Sequence, residues 1–197
     1  VKLGIPVNCG SPDMIDQLGE RAPGRNITLR INPGFGHGHS QKTNTGGESS
    51  KHGIWHEQLD DCLRRADHHG LSVTGLHMHI GSGTDLEHLA QVCGALEKAA
   101  LVVGRTITTI SAGGGLPIPY NTQQSYVDLD QYFQLWDASR KRLEAKLGHK
   151  LKLEIEPTVS PDDEVSLKIA LEDSKILETI VRPHPQAYRL GTRNTLT

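Results

Sequence analysis

Long apolar runs are missing from this sequence. Nowhere in its 197 residues does a hydrophobic stretch approach the roughly 20 residues that a membrane helix needs, so no membrane partner is expected. The opening residues, VKLGIPVNCG, hold no basic segment followed by an apolar one, and no secretory signal is read there. Aromatic residues make up only 4% of the chain, so a core must be built from Leu, Ile, Val and Ala. Cysteine is scarce. Cys9, Cys62 and Cys93 form an odd, scattered set, which argues against a disulfide frame or a zinc knuckle and fits reduced core thiols in a cytoplasmic protein. Neither sign of charge dominates. A formal net charge of -2, without long Lys/Arg runs, argues against nucleic acid as the main partner. What is plentiful is histidine: eleven of them raise the prospect of ring-stacking, acid–base or metal chemistry.

The hydrophobic pattern alternates between periods of two and of 3.6. IPVNC (5–9), NITLRIN (26–32), LSVTGLHMHI (71–80), ITTISA (107–112) and LKLEIE (151–156) read as strands. Between them lie helical segments. One is capped by Ser11, and one runs from about Trp55 to His69 and is ended by Gly70. A third follows a Thr84/Glu87 capping box, with Leu89, Val92, Cys93, Leu96 and Val103 on one face. A fourth is opened by Asp128 and Gln131, with a buried stripe of Leu129, Tyr132, Phe133, Trp136, Leu143 and Leu147. Five strands alternating with helices imply a parallel α/β sheet with right-handed crossovers, either doubly wound or part of a (β/α)8 TIM-type barrel. A whole barrel needs roughly 250 residues, so this chain is expected to hold a partial one of about five βα units. The loop GFGHGHSQKTNTGGESSKHG is too long for a plain connector. Beyond Thr158 the texture changes to a helical or frayed tail.

In parallel β/α folds ligands gather at the carboxyl ends of the strands. Those ends carry Arg30 and Asn32, then His77, His79, Ser82 and Gly83, then Gly113–Gly114–Gly115, then Glu154 and Glu156. His77 and His79, two residues apart on a strand, share a face. Alone, each feature has a plain reading: packing histidines, a flexible glycine turn, a solvated strand end. Together, amide-rich turns suit a phosphate, a carboxylate suits a cationic ring nitrogen, and an imidazole between them suits stacking on a flat ring. Pyridoxal 5'-phosphate has all three parts.

The ordered set LRINPGFGHGHSQKTNTGGESSKHG, GLHMHIGSGTD, ISAGGGLPIPY and LKLEIEP resembles diaminopimelate decarboxylase, within the fold type of alanine racemase and ornithine decarboxylase. The resemblance covers residues 1–157, read as a partial pyridoxal-phosphate-binding β/α barrel, and leaves 158–197 as a divergent tail. It implies that His79 stacks on the pyridoxal ring, that Ser82 and the amides of Gly113, Gly114 and Gly115 bind the phosphate, that Glu156 pairs with the pyridine nitrogen, and that Arg30 braces the pocket. The implied reaction is decarboxylation of meso-diaminopimelate to L-lysine, in the lysine branch of amino-acid biosynthesis, by a cytoplasmic lyase whose family is homodimeric. His37 and His39 are read as loop residues near the site, and no metal is expected.

The resemblance also has gaps. The family's Schiff-base lysine falls upstream of Val1, so no catalytic residue is assigned, and the family's C-terminal domain has no counterpart. The motif Glu-Pro-Gly-Arg continues here as Glu156-Pro157-Thr158-Val159. The chain is therefore expected to be an inactive fragment that associates through its unpaired strands. Two rival functions stand beside this one: a metal-dependent β/α-barrel hydrolase using His77 and His79, and a non-catalytic remnant.

Overall fold

A computed structural model describes residues 4–36, 45–81, 85–113 and 128–155. Among these, six strands form one sheet: β1 (Asn8–Cys9), β2 (Asn26–Asn32), β3 (Ile54–Trp55), β4 (Ser72–Met78), β5 (Thr109–Ala112) and β6 (Lys152–Ile155). The helices are α1 (Pro12–Arg21), α2 (Leu59–His68), α3 (Leu86–Val103) and α4 (Leu129–Leu147). Every strand pairing is parallel. The order β1-β2-β4-β5-β6 follows the chain without reversal, and β3 pairs with β2 beside β1. A doubly wound sheet reverses its order at a switch point. A sheet that winds in one direction is the arrangement of a β/α barrel, and the chain is a partial one.

Local chemistry explains the helix boundaries. The Ser11 hydroxyl accepts from the Met14 amide, with Pro12 in the first turn. Asp128 accepts from both the backbone and the side-chain nitrogen of Gln131 at 3.0 Å each. Gly148 closes α4 in the left-handed region, φ +79°. Two boundaries differ from expectation. Trp55 does not open a helix: it ends β3, and α2 begins at Leu59, because residues 54–55 extend the ladder along β2. The cap of α3 is Asp85, whose carboxylate accepts from the His88 amide at 2.9 Å; Thr84 lies outside the described residues.

The two faces of the sheet differ sharply. Ile27, Leu29 and Ile31 on β2, Leu76 and Met78 on β4, Ile110 and Ala112 on β5, and Leu153 and Ile155 on β6 are all buried in one core with the helices. Trp136, Leu96 and Leu143 lie fully buried in the same core. The other face carries polar residues. Between Ile27 and Thr28 the pairing slips by one residue against β4, because Ile27 faces Val73 but Thr28 faces Gly75. That slip lets Val73 and Leu76, three residues apart, both face the helices, and it sets His77 opposite Arg30. Gly75 has no side chain there because a Cβ would strike the Thr28 hydroxyl.

Cys9, Cys62 and Cys93 are buried and free, as expected of core thiols. Burial pushes the Cys62 thiol up to about 11 and the Cys93 thiol up to about 12, so neither is a nucleophile at neutral pH.

Candidate functional site

In a parallel ladder, register partners present their side chains to the same face. The register therefore defines layers on the polar face. Thr28, Gly75, Thr109 and Lys152 make one, and Arg30, His77, Ser111 and Glu154 make the next, nearer the carboxyl ends. Two residues further along each strand come Asn32, His79 and Gly113, which bring β2, β4 and β5 to the rim. The sequence expectation that His77 and His79 share a face holds: their ring centroids are 6.4 Å apart.

The second layer is knit together. His77 Nδ1 lies 3.1 Å from Ser111 Oγ. Lys152 donates to Glu154 across 3.0 Å on β6, so Glu154 is neutralised within its own strand. His77 is buried; loss of hydration, then repulsion from Arg30 and from His79, pushes its imidazole down to about 3. The same kinds of force, burial first and then Arg30 and His52, push His79 down to about 4. Both rings are neutral at pH 7. A neutral imidazole presents a flat, uncharged face, which suits stacking on an electron-poor, cationic ring better than an imidazolium would. His79 Nε2 is buried and has no hydrogen-bond partner among the described residues.

Gly113 follows directly on β5 and its amide donates to the Met78 carbonyl at 2.9 Å, carrying the β4–β5 pairing one step past Ala112. A Cβ at this position would lie 2.6 Å from His77 Nε2 and 2.8 Å from His79 Cβ. Only a bare α-carbon fits between the two histidines, which explains why glycine stands at position 113.

The long loop is anchored to this rim. The Asn32 side chain, 3% exposed, donates to the Gly47 carbonyl at 3.0 Å and accepts from the amides of Gly34 (3.1 Å) and Gly47 (2.9 Å). Thr45 donates through its hydroxyl to the His79 carbonyl and through its amide to the Ile80 carbonyl, both at 3.1 Å.

Of the residues singled out in the sequence, the structure brings together His79 and Gly113 at the rim, with Arg30 and His77 in the layer below. Ser82, Gly114, Gly115 and Glu156, along with His37, His39 and the tail 158–197, lie outside the described residues. Sequence reasoning missed Ser111 and the anchoring role of Thr45. Ser111 could have been found from parity, since it sits two residues before Gly113 on the same strand. Among the described residues, no group of three or more His, Cys, Asp or Glu could hold a metal, so nothing there extends the His77/His79 pair into the site a metal-dependent hydrolase needs. No described helix is long and apolar enough to cross a membrane. A groove of about 450 Å³ between α3 and α4, lined by Leu86, Ala90, Cys93, Gln131, Leu135 and Arg142, lies on the helical side, away from the polar layers.

A family model described as "Pyridoxal-dependent decarboxylase, pyridoxal binding domain" matches residues 1–160. The chain is 60% identical over 157 residues to a diaminopimelate decarboxylase of Streptomyces coelicolor, a match that covers 80% of this chain and 36% of that protein. It is 55% identical over 156 residues to a diaminopimelate decarboxylase of Escherichia coli strain K12, covering 79% of this chain and 37% of that protein. A crystal structure of diaminopimelate decarboxylase superposes with a TM-score of 0.74 at 55% identity, covering 79% of this chain and 37% of that one. The chain thus spans little more than a third of the length of these relatives.

Proposed function

The chain belongs to the pyridoxal-dependent decarboxylase family and shares its pyridoxal-binding domain, and from that premise we propose that it serves the decarboxylation of meso-diaminopimelate to L-lysine with pyridoxal 5'-phosphate as cofactor. The single observation that carries this reading is the rim where His79 and Gly113 meet: a neutral imidazole beside a backbone that must stay bare, with Arg30 one layer below.

The residues present fit the cofactor. His79, with its buried and unpartnered Nε2, offers the ring face. The Gly113 amide is committed to the Met78 carbonyl and so does not serve the phosphate as the resemblance implied; we assign that task to Ser82 and to the amides of Gly114 and Gly115, which follow it in the sequence. Glu156 is assigned to the pyridine nitrogen, where a carboxylate would hold a proton in place. Burial, aided by the positive charge of Arg30, keeps both histidines neutral. Asn32 and Thr45 fix the described part of the long loop to the rim beside His79. The cofactor, when bound, supplies the electron sink that accepts the charge left as carbon dioxide departs.

The decarboxylation is proposed by kinship with relatives of which this chain spans little more than a third, and cofactor binding is the part assigned to its own residues. We further propose that residues 1–157 form the barrel segment and 158–197 a separate tail. Cytoplasmic residence and self-association are also proposed; β6 pairs only with β5 among the described residues, which leaves an edge for a further strand.

The test is release of carbon dioxide and formation of L-lysine from meso-diaminopimelate in the presence of pyridoxal phosphate, followed in the full protein and in a His79→Ala variant. Turnover that falls at least a hundredfold in the variant supports the reading. Lysine formation that ignores the substitution contradicts it.

A further inference from the structure

The proposed function uses His79 and the glycine turn but leaves His77, the more deeply buried of the two histidines, without a task. We infer that His77 is a positioning residue for the phosphate end of the cofactor site: held by Ser111, its ring is the platform that fixes Gly113 and, through it, the start of the glycine turn. This rests on the cofactor reading above.

Three observations carry it. First, His77 is anchored within its own layer, because its Nδ1 meets Ser111 Oγ at 3.1 Å and Ser111 is its register partner on β5. Second, the Cε1–Nε2 edge of the ring, adjoining Nδ1, faces Gly113, so closely that a Cβ there would clash with Cε1 and lie 2.6 Å from Nε2. Third, the Gly113 amide is committed to the Met78 carbonyl at 2.9 Å, the residue directly after His77. Gly113 is thus held by β4 from two directions, the backbone of Met78 and the ring of His77, while His79 Cβ closes the third side. A ring tied at Nδ1 and packed along its adjoining Cε1–Nε2 edge has little freedom to rotate. A shift of Ser111 or of the His77 ring is therefore passed to the backbone that leads into Gly114 and Gly115. Positioning errors of this kind are costly where a site must be preorganised.

His77 lies a layer below the rim, so its influence on the cofactor is indirect, and it falls on the phosphate end, not on the ring face that His79 serves. That difference gives a readout which general loss of structure would not produce. In the full chain, dissociation constants for pyridoxal 5'-phosphate and for pyridoxal, which lacks the phosphate, are measured by equilibrium dialysis. His77→Phe, which keeps a flat ring but loses the bond to Ser111, is expected to weaken pyridoxal phosphate about tenfold relative to pyridoxal, a change of about 1.4 kcal/mol. His77→Asn, whose amide can still reach Ser111, is expected to restore that ratio to within about threefold. His79→Ala is expected to weaken both compounds alike.

Equal weakening of both compounds by His77→Phe, or no effect on either, overturns the inference while leaving the cofactor reading intact. A His79→Ala variant that binds both as the unaltered chain does, or an unaltered chain that binds neither, overturns the cofactor reading and the inference with it. Should His77→Phe fail to fold, Ser111→Ala removes the same hydrogen bond from the other side without enlarging a ring. A Ser111→Ala ratio that moves at least threefold in the same direction supports the inference, and an unchanged ratio refutes it.

Discussion

Acid should unfold this protein through His77 and His79, well before its carboxylates protonate. In the unfolded chain an imidazole titrates near 6.5. In the folded chain His77 is held down to about 3 and His79 to about 4, by burial first and by the charge of Arg30 second. The folded values lie below the unfolded ones, so at intermediate pH the unfolded state binds more protons. The stability linked to these groups is present above about pH 6.5 and is lost as the pH falls towards 4 and then 3. Integrating the linkage from pH 7 to pH 5 gives about 2 kcal/mol for each histidine, or about 4 kcal/mol if the two act independently. Against a usual total of roughly 5–15 kcal/mol, that is a large fraction. Over the same range the paired carboxylates contribute little. Although burial pushes them up, Arg142 and Ser139 hold Glu97, and Lys141 and Arg140 hold Asp137, below the usual range, so their share is lost only at lower pH. Urea unfolding followed by far-ultraviolet circular dichroism at pH 7, 6 and 5 measures the effect. The unaltered chain should lose about 4 kcal/mol, and a His77→Asn, His79→Asn variant most of that dependence. A midpoint that does not move between pH 7 and 5, or that moves as much in the variant, would refute the reasoning.

Two further outcomes follow from packing and hydrogen bonding. Asn32→Ala removes three hydrogen bonds to Gly34 and Gly47 and should cost about 1–3 kcal/mol, with faster hydrogen exchange at those two amides but not along β5 or β6; unchanged exchange at Gly47 would show that the loop is held elsewhere. Trp136→Ala empties the largest fully buried side chain of α4 and should cost about 3–5 kcal/mol by denaturant unfolding, with a loss under about 1 kcal/mol counting against the described core.

The helical segments and the parallel strands were readable because burial imposes periodicity. Leu89, Val92, Cys93 and Leu96 repeat at helical spacing for the same reason that they pack under the sheet. His77 and His79 were readable as a same-face pair because a strand leaves no alternative. The short β3 was not readable: two residues carry no period, and Ile54–Trp55 becomes a strand only because β2 lies alongside. The register slip was not read from the sequence, although Gly75 and the three-residue spacing of Val73 and Leu76 carry a signal for it. The bond from His77 to Ser111 was hidden because it joins residues 34 positions apart on neighbouring strands, and register is not written in either strand alone. The choice between a doubly wound sheet and a barrel was likewise settled by strand order, a tertiary property.

The central claim, that residues of separate strands converge on one phosphorylated pyridine, is tested most directly by a crystal structure of the protein with pyridoxal 5'-phosphate. The account predicts density for the ring against the face of the His79 imidazole and for the phosphate beyond Gly113, at the carboxyl end of β5. Density for the cofactor in the groove between α3 and α4, or with its ring away from His79, would contradict it.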